Sequence, residues 1–213
     1  MKLTDIYNLK KMGYTDEIKP KHLKKMKRTP SLLQDFPLKN FMGNPPSCNA
    51  SSKTRIELEE LSKLRQDPDF VKKMDDVDGT FKEYLDTVGL EFPDSIVEKL
   101  LQDSSILIMK LKYHYNRPRP YQLAQHPLID MSIGDDTIMD SMKTPSYPSG
   151  HSCQGILIGR VLSDMYPQHQ YNLMSLGRDI SKSRNIGRAH YPSDSKTGES
   201  LGDKMYQFIK SKI

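Results

Sequence analysis

The chain lacks any long apolar run. Its richest apolar stretch covers only residues 106–109, far short of the roughly 18 apolar residues that span a membrane. The first residues, MKLTDIYNLKK, also lack the apolar core of a secretion signal. With 36% hydrophobic residues and a mean hydropathy of −0.67, the sequence predicts a water-soluble, cytoplasmic protein.

Cysteine is scarce. The two cysteines, Cys48 and Cys153, lack the Cys/His grouping of a zinc site, and in an intracellular chain we expect both to be reduced. No glycine-rich phosphate loop is present, and the acidic segment 130–140 lacks the regular spacing of a calcium loop. The sequence therefore predicts no metal site and no resident cofactor.

Positive charge is concentrated at the N-terminus. Residues 1–30 hold nine basic and three acidic residues, a balance of +6, whereas the whole chain carries +5. Such an arm can bind nucleic acid or another anionic surface. It lacks the aromatic ladder that stacks on bases, so we favour an arm that packs on its own domain or on a neighbouring subunit. Self-association is left open.

The sequence predicts an all-α fold. Residues 1–40 are rich in lysine and proline and form a basic, partly irregular N-terminal arm. Residues 41–213 form a single domain, in which Gly198 and Gly202 indicate close packing of the last helix. The domain is a compact bundle of about six or seven helices, at residues 54–66, 68–75, 80–88, from about 96 to before Pro118, 150–166, 168–188 and 192–212.

Three short segments share one chemical theme. They are residues 112–120 (KYHYNRPRP), 148–151 (PSGH) and 183–194 (SRNIGRAHYPSD). Each joins cationic or hydrogen-bond-donating groups to a helix end or a tight turn. Together they offer what a bound phosphate needs, namely guanidinium and ammonium charge, backbone N–H groups, a nucleophile and an acid. The acidic connection between the first two, residues 121–146, is predicted to shape the choice of substrate.

The third segment pairs a histidine with a carboxylate. Pro192 suits the first turn of a helix, which places His190 just before that turn and Asp194 within it. Asp194 can then fix the tautomer of His190 and leave the other ring nitrogen free as a nucleophile or metal ligand. The guanidinium of Arg184 could donate hydrogen bonds to the same anion. The alternative is a capping aspartate beside an incidental histidine.

The second segment resembles an anion-binding helix start. Ser149 is a natural N-cap, Gly150 lets a ligand approach the backbone, and His151 could give a proton to a departing oxygen. The alternative is an ordinary Pro-Ser-Gly turn.

The first segment offers two lysine–arginine pairs at the same spacing. Lys110 and Lys112 point about 200° apart on a helix, so one of them faces the site. We choose Lys112 with Arg119 and assign Arg117 to a flank or a support. The alternative is a basic helix end that complements its own dipole.

In this order the segments resemble the type-2 phosphatidic acid phosphatase (PAP2) superfamily, which includes vanadium haloperoxidases. The pattern is Lys112…Arg119-Pro120, then residues 148–151, then Ser183-Arg184…His190…Asp194. The similarity is greatest to soluble bacterial class A nonspecific acid phosphatases. Arg188 and the missing secretion signal depart from them, and the absence of transmembrane helices departs from the lipid phosphatases of the group.

The resemblance implies a metal-free acid phosphatase that acts on small phosphate monoesters. His190 would be the nucleophile that forms a phosphohistidine, Asp194 its orienting carboxylate and His151 the general acid. The phosphate-binding groups would be Lys112, Arg119, Ser149, Gly150 and Arg184, and phosphate or vanadate could occupy their site. His22, His126 and His169 are predicted to lie on the surface.

Two alternatives stay open at the level of sequence. A vanadate-dependent haloperoxidase would use the same residues with another cofactor. A non-enzymatic protein would bind anions or nucleic acid through its basic arm. A third candidate, a lipid phosphatase that works from the membrane surface, has no amphipathic helix to support it. The natural substrate is not determined by these motifs.

Overall fold

The fold is all-α. A computed structural model describes residues 3–133 and 140–212, and the described residues contain no strand. In chain order the α-helices are α1 (Leu3–Lys11), α2 (Pro20–Met26), α3 (Lys39–Met42), α4 (Ser52–Lys63), α5 (Pro68–Lys73), α6 (Val77–Thr87), α7 (Asp94–Tyr115), α8 (Pro120–Ala124), α9 (Gly150–Met165), α10 (Gln170–Ile186) and α11 (Pro192–Ile209). Among these residues, no helix combines the length and the apolar character needed to cross a bilayer.

All seven predicted helices are present, as α4 to α7 and α9 to α11. Their ends follow local chemistry. Ser51, Asp67 and Asp76 cap α4, α5 and α6 through side-chain oxygens. The C-cap of α7 is Asn116, in the left-handed conformation with φ of 50°, and this turn ends the helix before Pro118 as predicted.

Helix α9 lies at the centre of the bundle. Leu157 and Val161 pack with residues of α7 and α11, whereas Ile158 and Leu162 pack with residues of α6 and α10. Two faces of one helix are therefore buried against different partners, and ten of its 16 residues are buried. The start of α9, where two predicted site residues lie, is held by the core.

The predicted close packing of the last helix is confirmed. A Cβ atom on Gly198 would collide with the carbonyl oxygen of Ser149, and one on Gly202 would collide with that of Cys153. The absence of side chains at both positions lets α11 approach the backbone of α9 directly. This contact brings the first turn of α11 beside the first turn of α9.

Helix occupies more of residues 3–42 than the proline pattern indicates, since α1, α2 and α3 lie there. Pro20 stands at the first position of α2, where its ring suits the helix, and good helix formers follow it. The arm packs on the domain: Leu33 and Phe36 join the core formed by α7, α9 and α11. The proposed division at residue 40 falls within α3 and stays a prediction.

The connection between α7 and α9 carries α8 and a short 3-10 helix, Asp140–Met142. Of the predicted acidic connection 121–146, residues 134–139 lie outside the described residues, and Asp135 and Asp136 are among them. Both cysteines are free, with Cys153 buried in the core and Cys48 exposed.

Candidate active site

A cavity of about 310 Å³ lies where one face of α7, the first turn of α9 and the turn before α11 meet. Four of the predicted site residues line it: Lys112, Gly150, His151 and His190. Ser141 and Thr144, from the connection before α9, complete part of the wall. The three sequence segments therefore converge on one space, whose size suits a small molecule.

His190 and Asp194 are paired within this arrangement. The Nδ1 atom of His190 lies 3.4 Å from Oδ2 of Asp194. The same carboxylate accepts a hydrogen bond from the backbone N–H of Tyr191, the N-cap of α11, at 3.3 Å. Asp194 thus contacts both the N-terminus of α11 and the ring of His190.

The contacts of His190 determine its tautomer. Its Nε2 atom lies 3.0 Å from a terminal nitrogen of Arg119, and a guanidinium can only donate a hydrogen bond. Nε2 therefore accepts, and the ring proton sits on Nδ1, where it faces Asp194. Burial, together with the charge of Arg119, lowers the pKa of His190 well below the ordinary value, although Asp194 opposes this. The imidazole is neutral, with its Nε2 lone pair directed away from the carboxylate.

The carboxylate of Asp194 is fully buried and anchored from several sides. Arg117 donates to its Oδ1 at 2.5 Å, and the hydroxyl of Ser146 donates to its Oδ2 at 2.5 Å. Burial disfavours the charged form, but Arg117 and the hydrogen bonds from His190 and Ser146 outweigh it, so the pKa of Asp194 stays below the usual range. An ionised Asp194 therefore lies beside the neutral imidazole of His190.

Arg117 supports this carboxylate rather than lining the cavity, as predicted for a flank or support. It also pairs with Glu57 at 3.2 Å, and its guanidinium stacks 3.7 Å from the ring centroid of Tyr191. Glu57 in turn accepts a hydrogen bond from the backbone N–H of Ser193 at 2.6 Å. A buried network thereby ties α4 to the first turn of α11.

The cations Lys112 and Arg119 are held by oxygens of the chain. The Lys112 ammonium donates to the carbonyls of Pro145 and Ser146, at 2.6 and 3.1 Å. Arg119 donates to the carbonyls of Ser141, Thr144 and Ala189. Neutral carbonyls position both groups without cancelling their charge, which leaves it available to an anion.

The two lysines of the first segment lie in different surroundings. Lys112 is buried and lines the cavity, whereas Lys110 is partly exposed and does not line it. Burial and the neighbouring Arg119 lower the pKa of Lys112 well below its ordinary value, with Asp194 opposing them. A bound phosphate dianion would favour the charged form of this lysine.

His151 has a different partner, Asp75. Its Nε2 atom lies 3.1 Å from the Asp75 carbonyl oxygen and 3.3 Å from Oδ1 of the same residue. Arg184 donates to that Oδ1 atom at 2.6 Å. The hydrogen bond with His151, and then the contact with Arg184, lower the pKa of Asp75 to about 2 against the effect of burial. Burial lowers the pKa of His151, and Asp75 partly restores it.

Two predicted phosphate contacts lie behind the cavity wall. Arg184 is bonded to Asp75 and to the carbonyl of Val71. The Ser149 hydroxyl caps α9 by accepting from the Ser152 N–H at 3.3 Å, while the Ser149 N–H donates to the Asp194 carbonyl at 3.1 Å. Ser149 thereby joins the two histidine-bearing segments through its backbone.

One prediction outside the motifs is wrong. His22 is not a surface residue: it is 7% exposed, lines the cavity and has its Nδ1 atom 2.8 Å from the Tyr113 hydroxyl. Lys25, on the same helix α2, also lines the cavity. Sequence reasoning likewise gave no role to Asp75, Ser146 or Glu57. No local sequence signal marks them: each is a buried or partly buried polar residue whose partner is a motif residue from a distant part of the chain.

Known proteins resemble the part of the chain that forms this site. Residues 100–202 match the model of the PAP2 superfamily. A non-specific acid phosphatase of Salmonella typhimurium is 35% identical over 91 residues, which cover 43% of this chain and 35% of that protein. An acid phosphatase of Zymomonas mobilis is 27% identical over 114 residues, which cover 54% of this chain and 42% of that protein. The matches thus span 35% and 42% of the length of these relatives.

A structural comparison matches a larger part of the chain. The crystal structure of a bacterial vanadium-dependent iodoperoxidase aligns with 99% of this chain and 48% of that protein. The TM-score is 0.48 and the sequence identity is 15%.

Proposed function

From the match of residues 100–202 to the PAP2 superfamily model, we propose that this chain is an acid phosphatase that hydrolyses small phosphate monoesters through a phosphohistidine. The observation that carries the proposal is the fixed tautomer of His190. A neutral imidazole, with its proton on the side of Asp194 and its lone pair at Nε2, shares one cavity with His151. This arrangement is typical of an activated nucleophile that faces a separate acid.

In the first half-reaction, the Nε2 lone pair of His190 attacks phosphorus and the bond from phosphorus to the ester oxygen breaks. His151, in its protonated form, gives its proton to the departing alkoxide. Asp194 stabilises the positive charge that develops on the His190 ring. In the second half-reaction His151 takes a proton from water, the resulting hydroxide attacks phosphorus, and His190 leaves.

Charge on the phosphoryl oxygens is balanced by cations and an N–H group. We assign Lys112, Arg119 and the Gly150 N–H to direct contact, since positioned charge is the main requirement of phosphoryl transfer. Arg119 must then exchange its bond to His190 Nε2 for a phosphate oxygen, which frees the nucleophile as substrate binds. Arg184 and Ser149 are proposed phosphate contacts as well, and each would exchange a present partner for phosphate.

We further propose that the reaction needs no metal and that the protein works in the cytoplasm. The test is release of inorganic phosphate from p-nitrophenyl phosphate at pH 5–8, with and without EDTA. We expect turnover that is fastest below about pH 6.5, the ordinary pKa of histidine, and unchanged by the chelator. Absence of turnover, or its loss in EDTA with recovery on added metal, would contradict the proposal. Subcellular fractionation tests the location separately.

A further inference from the structure

Helix α2, from the basic arm, forms one side of the cavity. His22 and Lys25 line it together with Ser105, Met109 and Lys112 of α7, which lie on one face of that helix. The family match begins only at residue 100, so α2 lies outside the matched segment. The arm therefore contributes directly to the space where the substrate would bind.

Backbone hydrogen bonds attach the arm to the domain both before and after α2. Before it, the backbone N–H of Tyr14 donates to the Asn116 carbonyl at 3.0 Å. After it, the backbone N–H groups of Leu32 and Leu33 donate to the buried carboxylate of Asp103 on α7, at 2.6 and 3.1 Å. Within α2, the His22 ring is bonded to Tyr113. These contacts hold the helix, and the two cavity-lining side chains, in a fixed place beside the site.

The charge on this wall is not neutralised by the residues around it. Lys25 is half-buried, and within residues 3–133 and 140–212 it has no carboxylate partner. Burial, followed by repulsion from Arg28 and Lys21, lowers its pKa. Burial also lowers the pKa of His22, as do Lys21, Lys19 and Lys25. A bound anion would stabilise the charged forms of both side chains and so raise their pKa values.

The cavity lining is also free of acidic side chains across the described residues. In the proposed mechanism one phosphoryl group is matched by the charges of Lys112 and Arg119, so a monoester with a neutral tail would leave Lys25 without a partner. An ammonium group and an imidazole placed together at a cavity wall are typical ligands of a second anionic group.

We propose that Lys25 and His22 form a second anion site, which binds a second phosphoryl group of the substrate and makes small bisphosphates the preferred substrate class. This inference rests on the proposed phosphatase function. The reacting phosphoryl group occupies the His190 side of the cavity, and the other lies against α2. Lys25 and His22 act in binding and in specificity, and take no part in bond cleavage.

The test compares kcat/KM for 1,3-propanediol bisphosphate with that for 3-hydroxypropyl phosphate, corrected for the two equivalent phosphoryl groups of the former. The wild-type protein should prefer the bisphosphate about tenfold or more, the size expected for a charge-assisted contact. Lys25→Gln should remove most of this preference, and His22→Gln a smaller part. Lys24→Gln, which removes an exposed charge one residue away on α2 and outside the cavity lining, should keep it.

Two results would overturn the inference: a wild-type protein without preference for the bisphosphate, or an equal loss of preference in the Lys24 and Lys25 variants. Binding of non-hydrolysable analogues tests the second anion site independently of catalysis. Calorimetry with propane-1,3-diyl bisphosphonate and propylphosphonate should show the same selective loss of affinity for the bisphosphonate in Lys25→Gln, even if no ester is turned over. Equal affinity of the wild-type protein for both phosphonates would contradict the second site, whatever the activity.

Discussion

The two histidines of the cavity differ in how they are held. The His190 side chain is 4% exposed, and its partner Asp194 is completely buried. The His151 side chain is 18% exposed, and its partner Asp75 is 39% exposed and shared with Arg184. One imidazole is thus fixed inside a closed network, whereas the other lies at the edge of a network that reaches water.

This difference suits two chemical roles. A nucleophile needs one tautomer and one orientation, and Asp194, Arg117 and Ser146 supply both for His190. A general acid must exchange protons with water in each cycle, and this requires access to solvent and a pKa near the working pH. The contrast predicts that changes near His190 abolish the chemistry, whereas changes near His151 alter its dependence on pH and on the leaving group.

The largest effect is expected from His190→Ala. Loss of the nucleophile should lower kcat for p-nitrophenyl phosphate by about three orders of magnitude or more, measured at saturating substrate. His114→Ala is the matched control, since His114 is exposed and does not line the cavity. Comparable turnover in the two variants would remove His190 from its role.

The second-largest effect is expected from Asp194→Asn. We expect kcat to fall by about two to three orders of magnitude, because an amide no longer fixes the tautomer of His190. It also leaves the buried Arg117 with Glu57 as its one carboxylate partner among the described residues, so the free energy of unfolding should fall by about 3 kcal/mol. Urea titration measures the second effect. Near wild-type kcat in a folded variant would contradict the orienting role.

The loss in His151→Ala should depend on the leaving group. We expect about a hundredfold loss in kcat/KM for an alkyl phosphate. The loss should be much smaller for p-nitrophenyl phosphate, whose phenolate leaves without protonation. Parallel measurements with both esters test this. Equal losses would show that His151 binds phosphate rather than donating a proton.

The smallest effect, a change in pH dependence, is expected from Asp75→Asn. His151 must be protonated to act, so activity is lost as pH rises through its pKa. Asp75 raises that pKa, so its removal should move the alkaline limb of the kcat profile to lower pH. Asp69→Asn, an exposed acid on neighbouring α5, should leave the limb in place. A shift to higher pH would contradict the assigned pairing.

The parts of the site that lie within one helix or turn were predictable from sequence. Helical geometry indicates that only one of Lys110 and Lys112 can face the site, and the pairing of His190 with Asp194 follows from Pro192 at the start of α11. In each case a spacing of two to four residues sets the direction of the side chains before any tertiary contact forms.

The partners of the motif residues were not predictable in this way. Asp75 lies 76 residues before His151 and 109 before Arg184, in a turn whose sequence resembles other acidic turns. The burial of His22 depends on Tyr113, 91 residues away. Such pairs arise only when α2, α5, α7 and α9 pack together, and local spacing carries no information about that packing.

The most direct test of the central claim is to trap the covalent intermediate. Wild-type protein is mixed with ³²P-labelled substrate, quenched within milliseconds, and the labelled residue is mapped by mass spectrometry. The account predicts an acid-labile, alkali-stable phosphoryl group on His190, absent from His190→Ala. Label on any other residue, or hydrolysis with no labelled protein at any quench time, would contradict it.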